Sequence, residues 1–180
     1  MTDESADPVD ATPLTTAVVL FLVRDDWPFS VDSGGLSVRS RFQGEHGSWV
    51  VITRVHPERQ QLAVYSVWEE HVAEAHRATV AEFLHRANYG LVIGNFEIDL
   101  ADGEVRFKVG LDVEGVALDR PRGNPAGPAL VKQAFYTAVS LFDRYLPGLR
   151  AVSTGADPLA AVRIIEGPES AVARTDDADA

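Results

Sequence analysis

Apolar side chains recur at Leu14, Ala17, Val18, Phe21 and Leu22, the spacing of one face of an α-helix. Asp10 or Thr12 can cap this helix, and Pro13 suits its first turn. The β-branched pair Val18-Val19 also fits a strand. Trp27-Pro28 ends the element, because the residue before proline avoids helical geometry. The period then changes from 3.6 to 2. Leu36, Val38, Ser40 and Phe42 alternate with Ser37, Arg39, Arg41 and Gln43. Trp49, Val51, Thr53 and Val55 alternate with Val50, Ile52 and Arg54, and Leu62, Val64, Ser66 and Trp68 with Ala63, Tyr65 and Val67. Short turns at 44–47 and 56–60 join these runs, which predicts three antiparallel strands.

A helix is predicted over about 69–88, with Val80, Phe83, Leu84 and Ala87 as its buried stripe. A hairpin follows. Phe96, Ile98 and Leu100 alternate before Asp102-Gly103, and Val105, Phe107, Val109, Leu111 and Val113 after it. A two-residue turn at Asp102-Gly103 sets Ile98 opposite Phe107 and Phe96 opposite Val109. It also sets Asp99 opposite Arg106 and Glu97 opposite Lys108, a favourable charge pairing on the outer side. Val131, Ala134, Phe135, Ala138, Phe142 and Tyr145 give a third helix that Pro147-Gly148 stops. Asp157 as cap and Pro158 in the first turn start a short last helix. Strands do not alternate singly with helices. The expected fold is therefore α+β, a two-layer sandwich of helices on an antiparallel sheet of about five strands, in the order α-β-β-β-α-β-β-α.

Composition refines this picture. The chain has 180 residues and a net charge of −11. Residues 1–12 hold four acids and no base, and residues 166–180 five acids against Arg174, so the stretch between carries only −3. The expected organisation is a single domain over 13–166 between disordered acidic tails, 1–12 and 167–180. Nucleic-acid binding is disfavoured without a net basic footprint. The longest apolar run, Ala17 to Val23, is too short to span a bilayer. The acidic start lacks the basic region of a signal peptide. With no cysteine, thiolate metal sites, disulfides and a cysteine nucleophile are excluded, and the cytoplasm is the expected location.

Catalytic constellations are missing. Of the five histidines, His71, His76 and His85 share the second predicted helix, but no pair has the i, i+4 spacing of two metal ligands. The carboxylate pairs Asp25-Asp26 and Glu69-Glu70 are adjacent, so their side chains point apart. No phosphate loop or nucleophile elbow occurs. No cofactor or metal is expected, and no enzyme. Two features remain. On the sheet face opposite the predicted core, Val50, Ile52, Tyr65, Val67 and Ala63 form an apolar patch, with Leu91 and Ile93 added and Arg39, Arg41 and Arg54 around it. Such a patch is either a protein interface or is covered by another part of the chain, such as the last helix. The second feature is the loop Arg120-Pro121-Arg122-Gly123-Asn124, whose Arg120, Arg122 and Asn124 before a helix start could hold an anion.

The stretch 86–99, Arg-Ala-Asn-Tyr-Gly-Leu-Val-Ile-Gly-Asn-Phe-Glu-Ile-Asp, followed by Gly103-Glu104-Val105-Arg106-Phe107, resembles the YbjN domain family. So does the lead-in Asp26-Trp27-Pro28-Phe29. The resemblance covers about residues 13–155. It implies a fold similar to type III secretion chaperones, commonly dimeric and acting by binding other proteins. Members are described as regulators of sensory transduction, and no catalytic residues carry over. The expectation is thus a non-enzymatic, chaperone-like or regulatory protein-binding module, a homodimer with a protein partner. A small-ligand or anion sensor using the Arg120–Asn124 loop is the alternative.

Overall fold

A computed structural model describes residues 12–116 and 126–167. Both acidic tails, Thr12 and Gly167 apart, and the Arg120–Asn124 loop lie outside the described residues. Helix α1 (Pro13–Arg24) starts on Thr12, whose hydroxyl accepts the Thr15 amide. Six strands follow in one antiparallel sheet: β1 (Phe29–Val31), β2 (Ser37–Gln43), β3 (Ser48–His56), β4 (Gln61–Val67), β5 (Asn95–Ile98) and β6 (Val105–Asp112). Their spatial order is β1-β2-β3-β4-β6-β5. Helix α2 (Arg77–Tyr89) lies between β4 and β5 in sequence, and α3 (Ala126–Ser153) and α4 (Pro158–Glu166) close the chain.

The fold class is α+β as expected, with six strands rather than five. The added strand is β1, whose three residues are too few to show a period. Its pairing comes from β2, with Val31 opposite Val38 and Ser30 opposite Arg39. The inward residues are those the alternation assigns: Val38, Trp49, Val51, Val55, Leu62, Val64 and Trp68 are buried, and Phe42 is half-buried against them. Helices α1, α2 and α3 pack on this one face, and α4 packs on α2 and α3. Ser66 lies in the interior and donates to the Ala138 carbonyl of α3, and Ser40 of the same row donates to the Pro28 carbonyl, so both buried hydroxyls are satisfied.

Three elements differ from their sequence reading. Helix α3 runs through Pro147 to Ser153. Proline removes one helical hydrogen bond, but Leu146, Leu149 and Val152 are buried around it, and this packing outweighs the break. Helix α2 starts at Arg77 rather than near Glu69, after a 3₁₀ turn at Glu74–His76. The segment before it runs beside the β5–β6 hairpin, where the Val72 amide donates to the Gly103 carbonyl.

The hairpin itself has a four-residue loop, 100–103, closed by the Asp99 amide on the Glu104 carbonyl. Its register is shifted by two from the expected one. Phe96 faces Phe107, Glu97 faces Arg106 and Ile98 faces Val105. The expected Asp99–Arg106 and Phe96–Val109 pairs do not form. A shift of two preserves which face each side chain takes. The longer loop is held from outside: the Arg77 guanidinium donates to the carbonyls of Leu100 and Ala101.

Candidate functional site

The sheet face that none of the described helices covers is built from residues that alternate with the core. Pairing aligns them in rows across the strands. One row reads Arg39, Ile52, Tyr65, Lys108, Asn95. The next reads Arg41, Val50, Val67, Arg106, Glu97. A third reads Ser37, Arg54, Ala63, Gly110. In the first two rows an apolar pair on the central strands is flanked by a cation on each side. The sequence-derived residues Arg39, Arg41, Arg54, Val50, Ile52, Tyr65 and Val67 are thus brought together on one surface. Helix α4, the suggested cover, lies in the other layer.

Two assignments change. Val50 is only 5% exposed, sealed between Arg41 and Val67, so contact falls on half-buried Ile52, Tyr65 and Val67. Leu91 packs against the core, and Ile93 lies outside the strands in the α2–β5 loop, where it is exposed with Tyr89 and Val92. Neither belongs to the face. Arg106 and Lys108 do belong to it. Sequence reading took them only as hairpin partners, because their position beside β4 depends on strand order.

The electrostatics of the two flanks differ. On β6, Glu97 accepts from Arg106 at 2.7 Å and from Lys108. Arg106 also lies 4.8 Å from the centre of the Tyr65 ring, a cation–π contact. On the other flank, Glu69 takes both terminal nitrogens of Arg41, at 2.7 and 3.1 Å. Arg39 and Arg54 have no hydrogen-bond or ion-pair partner among the described residues. They are diagonal neighbours across β2 and β3, because Arg39 faces Ile52 and Arg54 faces Ser37. Two guanidinium groups left unpaired side by side favour an incoming carboxylate.

Burial pushes the Glu97 carboxyl up, but hydrogen bonds from Lys108 and Arg106 outweigh it and hold its pKa below the ordinary 4.5. The folded state therefore binds this proton less tightly than the unfolded chain. The cluster stabilises the fold above pH 4.5 and its contribution is lost as pH falls through the lowered value. The expected result is a stability gap between wild type and Glu97→Gln that is full at pH 7. It narrows steadily on acidification, as read by urea unfolding. A pH-independent gap contradicts this assignment.

The edge strand β5 is closed by the end of α2. The Asn88 side chain accepts from the Phe96 amide at 2.7 Å and donates to the Phe96 carbonyl at 3.0 Å. One side chain thus imitates a neighbouring strand and blocks further pairing at that edge. Asn88→Ala is expected to cost about 1–2 kcal/mol, from two lost hydrogen bonds, as a lowered urea midpoint at unchanged slope.

Elsewhere, Glu45, His46 and Asp143 bring ligand atoms within 4.8 Å of one another, a possible metal grouping by distance. Its central carboxylate is already engaged. Asp143 accepts the amides of Glu45 and His46, at 3.0 and 2.9 Å. Arg150 holds the His46 carbonyl from the same side. The grouping pins the β2–β3 turn to α3.

Fold and site together define a two-layer α+β domain in which helices cover one sheet face and, among the described residues, cations and apolar side chains make up the other. The chain belongs to the YbjN family, whose match spans residues 16–151 and whose description is "Putative bacterial sensory transduction regulator". That span contains the whole sheet and ends before α4. The description is that of a regulator rather than an enzyme. No curated protein and no solved structure matches the chain. Among the described residues, no helix is long and apolar enough to cross a membrane.

Proposed function

We propose that this protein is a non-catalytic regulatory module of the cytoplasm that binds another protein on the open sheet face. The observation that carries the reading is the row pattern. Ile52, Tyr65 and Val67 offer an apolar centre, and Arg39 and Arg54 offer unpaired guanidinium groups at its margin. Apolar centres ringed by charge, with arginine and tyrosine prominent, are the anatomy of protein interfaces. The partner that fits presents an apolar strip bordered by carboxylates. A chaperone-like role requires no more than this surface.

The test is affinity capture from the native cytosol with wild type, Ile52→Asp, the double variant Arg39→Glu with Arg54→Glu, and Ile164→Asp. The last lies on α4, away from the face, and is 84% exposed. Circular dichroism confirms that each is folded. One partner should be retained by wild type and Ile164→Asp and weakened at least 30-fold by the face variants, the effect of losing a hot spot of about 2 kcal/mol. A homodimer through the same face would appear in light scattering as a doubled mass lost in Ile52→Asp. Equal capture by all four proteins, or neither capture nor self-association, contradicts the proposal.

A further inference from the structure

We infer that residues 1–11 of the chain dock on the Arg39–Arg54 corner of the open face, where they compete with an acidic partner. The inference rests on the reading of that face as a docking surface. Three observations place the occupant. The first is charge. Residues 1–11 contain Asp3, Glu4, Asp7 and Asp10 and no base. Of the five cations on the face, Arg41, Arg106 and Lys108 are paired with Glu69, Glu97 and Glu104, while Arg39 and Arg54 have no such partner among the described residues.

The second is the point of entry. The buried Thr15 hydroxyl donates to the Gly35 carbonyl at 2.6 Å, so the start of α1 is tied to the β1–β2 turn. Two residues on, Ser37 faces Arg54. Four residues on is Arg39, about 13 Å along the strand. Eleven residues can reach up to roughly 36 Å when extended, so the span is ample. A short tether also makes the encounter intramolecular, at an effective concentration of about millimolar.

The third is that the other acidic segment starts elsewhere. Glu166, at the end of α4, accepts from the Tyr145 hydroxyl within the helix layer. Helix α1 also lies in the helix layer, but Thr15 ties its start to the turn that leads into Arg39.

The chain has no cysteine, so Ser5→Cys carries a single nitroxide label without further changes. The experiment is paramagnetic broadening of backbone amide signals in the full chain. At low salt, Arg39, Ile52 and Arg54 should lose at least half their intensity. The loss should be reversed by 0.5 M NaCl and by Arg39→Gln with Arg54→Gln. Tethering alone would broaden both layers around Gly35 alike and ignore the arginine variants, and that result overturns the inference. Broadening strongest on α1 or α4 also overturns it. Capture of a partner through the face without label contact refutes the strap and leaves the function standing. Label contact without any partner does the reverse.

Discussion

Phe142→Ala should lower the stability of this protein by about 3–5 kcal/mol, the cost of emptying a fully enclosed aromatic site. Phe142 is wholly buried on α3. Its ring lies 4.9 Å from Trp49 of β3 and 6.4 Å from Phe96 of β5. It thus joins the long helix to a central strand and an edge strand together. No neighbour can fill the space cheaply, because Trp49 is itself wedged between Phe42 and Phe142. The melting temperature should fall by roughly 10 °C or more. Phe142→Leu should recover more than half of the loss. A change below about 1 kcal/mol would mean that α3 and the sheet are not packed as described.

Gly103→Ala should cost about 2–4 kcal/mol, from a strained backbone together with an overlap. Gly103 has φ +85°, a conformation that side chains with a β-carbon rarely adopt. An added β-carbon would overlap the Val72 carbonyl oxygen and stand 2.9 Å from the Val72 nitrogen. The backbone cannot yield there, since the Gly103 carbonyl takes the Val72 amide and Arg77 grips the loop. Gly110→Ala is the matched control. Its β-carbon would meet nothing within 4 Å and its φ is ordinary, so stability should change by less than about 0.5 kcal/mol. Urea unfolding of the two variants checks both numbers, and equal losses would contradict the geometry.

The features legible in the sequence were those set by local period and caps. Thr12 and Asp157 cap the helices as their residue types suggest, and every strand of the meander turns the expected face inward. The arginine and apolar residues of the open face followed from the same alternation. What escaped depends on contacts distant in sequence. The hairpin loop lengthened because Arg77 binds its carbonyls, and Asp102-Gly103 carries no sign of that. Pro147 reads as a stop, and only the packing of Leu149 and Val152 in three dimensions carries the helix past it. Strand order placed Arg106 and Lys108 beside Tyr65, which turned a hairpin charge pair into the second flank of the site. Val50 alternates like Ile52, but its cross-strand neighbours seal it.

The role of Asn88 and Glu97 is clear only with the sheet assembled. Both lie in the stretch that carries the family resemblance. Asn88 finishes the β5 edge, and Glu97 pairs with both cations of the β6 flank of the face. The motif is thus architectural on one side and electrostatic on the other. Neither role needs catalysis.

The most direct test of the central claim is methyl and amide NMR of the captured partner titrated into labelled protein. The account predicts that the signals of Ile52, Val67, Arg39 and Arg54 shift first and furthest, and that Ile164 stays in place. Shifts gathered on α1, α3 or α4, with Ile52 and Val67 unmoved, would show that the partner reads the helix layer and that the open face is not the site.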